Sequence, residues 1–180
     1  MGADGMRAPV QTVELLLDEA TDVAVRSTWR VLAGAALPSQ AQHAGPSNAP
    51  HVTVAVRESI PSALDEALGA AAGDLPVPIG LGGLLVFARR RCVLARAVVP
   101  SEQLLRLHAG VHEALAGCGP TPATMLPGRW TPHVTLARGL SAEQVGAALA
   151  ALGETTDQDG TVVAVRRWDA AQRRTWLVPG

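Results

Sequence analysis

HVTVAV, residues 51–56, and HVTLAR, residues 133–138, are two short β-branched runs that each read as a strand. Side chains alternate along a strand, so His51 and Thr53 share one face while Val52 and Val54 take the other. His133 and Thr135 repeat this against Val134 and Leu136. A solvated strand face explains one polar pair at period two, but gives no reason to choose the same histidine and threonine twice. Upstream of the first run, VQTVELLLD (10–18) reads as a strand and residues 19–37 as a helix entered through acidic residues and left near Pro38. Downstream come a helix over 61–73 and a glycine-interrupted strand over 77–87. The order then begins again, with a strand over 92–99, a helix over 101–117, the second motif, and a helix over 141–153. Strand-like sequence in TVVAVRRWD and RRTWLVP closes it. Val10 to His51 is 41 residues and Val93 to His133 is 40, so the two copies keep nearly the same spacing.

A duplicated β-α-β-α-β pattern predicts an α+β fold of two pseudo-symmetric lobes, each an antiparallel sheet with helices on its outer face. The bare faces then meet across a central groove that brings positions 51 and 133 together. The expected organisation is a single bilobal domain over 1–180, with lobe-forming halves of about 10–90 and 91–179.

With 180 residues, 48% of them apolar, the chain can bury a substantial core. Its net charge of −1 excludes a global electrostatic pull toward nucleic acid or membrane, so any anion site must be local. The start, MGADGMRAPVQ, lacks a basic n-region and apolar h-region, and no run approaches a membrane span, which predicts a cytoplasmic protein with no membrane partner. Cys92 and Cys118 belong to no paired metal-type spacing and read as ordinary thiols.

Two histidines on one groove suit in-line displacement at a phosphodiester, which needs a base for the incoming oxygen and an acid for the departing one. An unperturbed imidazole titrates near about 6.5, so one can be neutral while the other is protonated. Threonine hydroxyls two residues along, about 6.6 Å away on the same face, can donate to the non-bridging oxygens.

The motifs HVTV (51–54) and HVTL (133–136), each preceded by a proline (Pro50, Pro132), resemble the H-x-[TS]-x signature of the two-histidine phosphoesterases, which include the bacterial 2′-5′ RNA ligase and RNA 2′,3′-cyclic phosphodiesterase group. The resemblance covers the chain from Val10 to Pro179, and RWTPHVTLARG is especially similar to the second motif of bacterial members. It implies a bilobal fold and metal-independent opening of ribose 2′,3′-cyclic phosphates, with reversible 2′-5′ ligation in some members. Carried over by position, His51 and His133 would be the catalytic pair and Thr53 and Thr135 the phosphate donors. The implied partners are RNA ends or nucleotide 2′,3′-cyclic phosphates, the implied state a monomer, and neither cofactor nor metal is expected. A non-catalytic nucleotide-binding module, or the same chemistry on another small cyclic phosphodiester, are the competing readings.

Arg138 matches a basic position that would neutralise the phosphate, although strand parity sets it opposite His133 unless the backbone bends before Gly139. Trp130 and Phe87 are the aromatics best placed to stack on a base, while Trp29, Trp168 and Trp176 read as core. Arg89, Arg90 and Arg91 fall at a hairpin turn, His43 in a polar loop, and His108 and His112 four apart on a helix with no third metal ligand apparent.

Overall fold

The computed structural model describes residues 10–43, 45 and 47–179; the leader reading for residues 1–9 lies outside them. Among the described residues seven strands and four α-helices follow the expected order: β1 (Gln11–Leu17), α1 (Glu19–Gly34), β2 (His51–Arg57), α2 (Asp65–Ala71), β3 (Val77–Phe87), β4 (Cys92–Val98), α3 (Glu102–Ala114), β5 (His133–Leu140), α4 (Ala142–Leu152), β6 (Gln158–Asp169) and β7 (Arg174–Leu177). Three of the helices begin where a side chain takes an orphan backbone N–H. Asp18 accepts from Thr21 N at the start of α1, Ser101 from Leu104 N at α3, and Ser141 with Gln144 forms a capping box at α4. None of these helices is long and apolar enough to cross a membrane.

All strand pairings are antiparallel, in the order β1-β2-β5-β4-β3-β6-β7, and β1 also pairs with β6. The long strand β6 serves both halves of this seven-stranded sheet. Its residues Gln158–Val162 pair with β3, and Val162–Asp169 pair with β1, while β7 joins its far end. One half of this continuous sheet is therefore β2-β1-β6-β7 and the other β5-β4-β3-β6, and β2 meets β5 at Val52 and Val134.

The sequence halves and the lobes do not coincide in this pairing. Strand β3, from the first half, pairs with β4 and β6, both from the second, and β6 pairs with β1. The connection from Phe87 to Cys92 is too short for anything but a hairpin, so β3 has to lie beside β4. The helices are shared in the same way: α1 packs with α4 over β5, and α2 packs with α3, which lies on β2 and β3. One apolar core runs through both layers, from Val13, Leu15 and Val52 to Leu94, Val134 and Leu136. The opposite strand faces line the groove.

Candidate active site

Both motif histidines are held by the same local device. His51 Nδ1 lies 2.7 Å from the carbonyl oxygen of Ala49, and His133 Nδ1 lies 2.7 Å from that of Thr131. A carbonyl accepts only, so each Nδ1 carries the proton and donates it. Each neutral ring is thereby fixed as the tautomer with a free Nε2 lone pair. Pro50 and Pro132 stand between donor and acceptor, and a proline confines the residue before it to extended backbone, which keeps that carbonyl turned to the imidazole.

The antiparallel contact of Val52 with Val134 is the centre of a pseudo-twofold arrangement. One residue either way along the strands, His51 falls beside Thr135 and Thr53 beside His133, with all four on one face. The structure thus gathers the four predicted residues into one groove.

Each motif also carries a β-bulge directly after its threonine. In the β1–β2 ladder Val13 pairs with Ala55 and Glu14 with Thr53, leaving Val54 extra. In the β4–β5 ladder Leu94 pairs with Ala137 and Ala95 with Thr135, leaving Leu136 extra. A bulge shifts strand parity by one. Arg138 consequently points to the same side as Thr135, and its Nη2 donates to Thr135 Oγ1 at 3.2 Å. The bend that the sequence demanded for Arg138 occurs at Leu136, while Gly139, at φ +78°, forms a second irregularity.

Sequence reasoning missed Glu14 and Arg166. Both face the groove from β1 and β6, are buried, and pair at 2.7 Å between Arg166 Nε and Glu14 Oε2. Glu14 also accepts from Thr12 Oγ1 at 2.8 Å, and its Oε1 lies 3.5 Å from His51 Nε2. The His51 end of the groove encloses about 970 Å³ and is lined by Arg138, Arg166, Arg173 and Arg174, with Glu14 its only acid among the described residues. His43 borders it, and so does Trp168, which therefore belongs to the groove and not the core. Alternation on β6 carries Arg166 and Trp168 to the groove and Arg167 to the far side, where Asp65 pairs with it and Trp176 packs over it.

The His133 end differs. A cavity of about 390 Å³ is walled by Phe87, Val93, Met125 and Trp130, with Arg89 and Arg129 at its edge; Arg138 lines both cavities and joins them. Phe87 packs against the His133 ring, centroids 4.7 Å apart, so it supports the imidazole. Trp130 has one face stacked on His108 at 4.1 Å and its Nε1 donates to Thr53 O, which makes it part of the site's framework. Of the hairpin arginines only Arg89 reaches this cavity. Burial pushes the His133 imidazole below its ordinary pKa, and the Arg138 and His51 charges act the same way against the Thr131 carbonyl.

His108 and His112 pack with tilted rings, centroids 4.6 Å apart, and serve the framework. His112 Nε2 donates to the carbonyl of the bulge residue Val54 at 3.1 Å. His108 is 1% exposed, its Nε2 has no partner, and burial followed by the His112 charge holds its pKa down to about 4. An imidazole depressed from 6.5 to about 4 stabilises the fold fully above pH 6.5, where native and unfolded chains are both neutral. As pH falls toward about 4 the unfolded chain takes up the proton first, so stability drops, by about 3 kcal/mol for this group. His112 and His133, also lowered, add to the slope with the same sign. Thermal unfolding of His108→Phe is expected to lose much of the wild-type decline between pH 6.5 and 4; an unchanged slope would remove His108 as its source.

The sequence profile of the 2′-5′ RNA ligase superfamily matches residues 25–174. Among curated proteins none matches this chain. Solved structures of the same fold include Usb1 from Kluyveromyces marxianus with uridine monophosphate, at 14% identity, TM-score 0.55, and 95% of this chain covered against 98% of the other. E. coli LigT complexed with 3′-AMP aligns at 16% identity, TM-score 0.56, covering 97% of this chain and 96% of LigT. A structure titled as a phosphoesterase aligns at 17% identity and TM-score 0.57, covering 96% and 99%. The paired proline-histidine motifs and the profile match over most of the chain together place this protein in the 2′-5′ RNA ligase superfamily of two-histidine phosphoesterases.

Proposed function

We propose that this chain hydrolyses ribose 2′,3′-cyclic phosphates, at RNA ends or on nucleotides, with His133 as general base and His51 as general acid. The observation that carries the reading is the pair of imidazoles in one groove whose matched Nδ1–H bonds to Ala49 and Thr131 leave Nε2 as the proton-exchanging nitrogen of each. The division of roles rests on their neighbours. His133 is pushed toward its neutral form and has Arg138 beside it. His51 has the Glu14 carboxylate 3.5 Å from Nε2, placed to accept from a protonated ring.

In this mechanism His133 Nε2 takes a proton from water as its oxygen bonds to phosphorus. The bond from phosphorus to the ribose 3′ oxygen breaks on the opposite side, and His51 Nε2 supplies the proton to that oxygen. The 2′-phosphate remains, and solvent resets both rings. Thr53, Thr135 and Arg138 hold the negative charge that gathers on the non-bridging oxygens. The same step with a 5′-hydroxyl in place of water yields a 2′-5′ linkage, and its reverse cleaves one. Turnover of a nucleoside 2′,3′-cyclic phosphate in EDTA, with the product identified by phosphorus NMR, tests the reading. A 2′-phosphate is the expected product; a 3′-phosphate would invert the geometry of attack, and absence of turnover would refute the reading.

A further inference from the structure

We infer that Trp29 and Trp130 are positioning residues that lock the two threonine bulges, each from the opposite half of the chain. Strands β2 and β5 share the single pair Val52–Val134, and the carbonyls of Thr53 and Thr135, one residue beyond it, accept from side chains. A buried carbonyl without a partner is costly, so something must donate to each. Two indoles do. Trp130 Nε1, from the segment before β5, donates to Thr53 O at 3.1 Å, and Trp29 Nε1, from α1, donates to Thr135 O at 3.0 Å.

The exchange is reciprocal: the first half's tryptophan holds the second motif, and the second half's holds the first. Trp29 is 3% exposed and Trp130 is clamped flat against His108, with ring planes 1° apart, so neither donor has freedom to swing. On the first motif His112 adds a bond to Val54 O, the next carbonyl along. These carbonyls lie at the two points where the backbone gains its extra residue. An indole bond there sets the direction of the threonine hydroxyl and, through the parity change at Leu136, that of Arg138.

This inference rests on the proposed phosphodiester chemistry for its kinetic readout, but not for its structural one. Trp130→Phe and Trp29→Phe keep an aromatic ring and remove the donor. With a nucleoside 2′,3′-cyclic phosphate, kcat is expected to fall about 10-fold or more in each while KM changes little, the size expected when a transition-state donor is displaced and not deleted. With the two phosphorothioate diastereomers, the wild-type preference for one should shrink in both variants, because misdirected threonines no longer distinguish the non-bridging oxygens. Trp176→Phe is the matched control: it deletes an indole bond to Asp65 Oδ2, 2.9 Å long and outside the groove, and should leave kcat and the diastereomer preference unchanged. Crystal structures of the variants read the claim without turnover, with Thr53 displaced in Trp130→Phe and Thr135 in Trp29→Phe. Threonines that stay in place, or a kcat loss in the Trp176 control equal to that in the other two, would overturn it. A wild-type chain that does not turn over the cyclic phosphate counts against the proposed function alone.

Discussion

Replacing His133 with alanine is expected to lower kcat for a nucleoside 2′,3′-cyclic phosphate by about 1,000-fold, within the range of roughly 10² to 10⁴ that a positioned acid or base supplies. His51→Ala should cost a similar factor on that substrate, because a ribose oxygen is a poor leaving group without a proton. The two variants part on a diester with a p-nitrophenolate leaving group, which departs unprotonated. There His51→Ala should recover most of its lost rate and His133→Ala little, since water still has to be deprotonated. Recovery in the His133 variant instead would reverse the assignment. Both replacements sit on half-buried groove positions, so the fold should persist, and thermal unfolding near the wild-type midpoint confirms that the rates report chemistry.

The second large effect is on stability. Glu14 and Arg166 form a buried ion pair at 2.7 Å, and Glu14→Ala leaves the guanidinium enclosed without its carboxylate. Breaking such a pair by removing one partner costs about 3 to 5 kcal/mol, far more than an exposed bridge contributes. For a chain of this size that is a fall of roughly 10 °C in Tm. Glu14→Gln, which keeps the shape and one acceptor oxygen, should lose less stability. It still removes the carboxylate facing His51 Nε2, so kcat on the cyclic phosphate should drop while the p-nitrophenyl diester is spared. Equal losses on both substrates would mean that Glu14 serves the scaffold and not the acid.

Much of this arrangement was legible in the sequence. The repeated His-Val-Thr runs, the order of strands and helices, and the sharing of one strand face by His51 with Thr53 and by His133 with Thr135 follow from period-two alternation within a duplicated chain, while the contact of Val52 with Val134 brings the two pairs together. Arg138 shows where that logic ends. Its side of the strand depends on a bulge at Leu136, and a bulged leucine looks like any other leucine in a strand. The exchange of β3 and β6 between the halves was hidden for a related reason: alternation reveals that a strand exists, not which strand it pairs with. Glu14 reads as one polar residue in VELLL, and its partner Arg166 is 152 residues away, so only the folded β1–β6 pairing reveals them as a unit. The tryptophans were hidden because a buried indole declares its apolar ring in a sequence and its N–H only in a structure.

The asymmetry of the groove refines the competing readings. Arginines line the His51 end, whereas Phe87, Met125 and Trp130 make the His133 end more apolar, so the near-neutral net charge conceals a locally basic site. A module that only bound nucleotides would need those donors but not two imidazoles with matched tautomers.

The proposed hydrolysis requires His51 and His133 to act as one acid–base pair. Its most direct measurement is the pH dependence of kcat/KM for a nucleoside 2′,3′-cyclic phosphate in wild type, His51→Ala and His133→Ala, in EDTA. Paired acid–base action gives a bell in the wild type, loss of the alkaline limb in His51→Ala and loss of the acid limb in His133→Ala. A wild-type profile without two limbs, or a variant that keeps both, would contradict it.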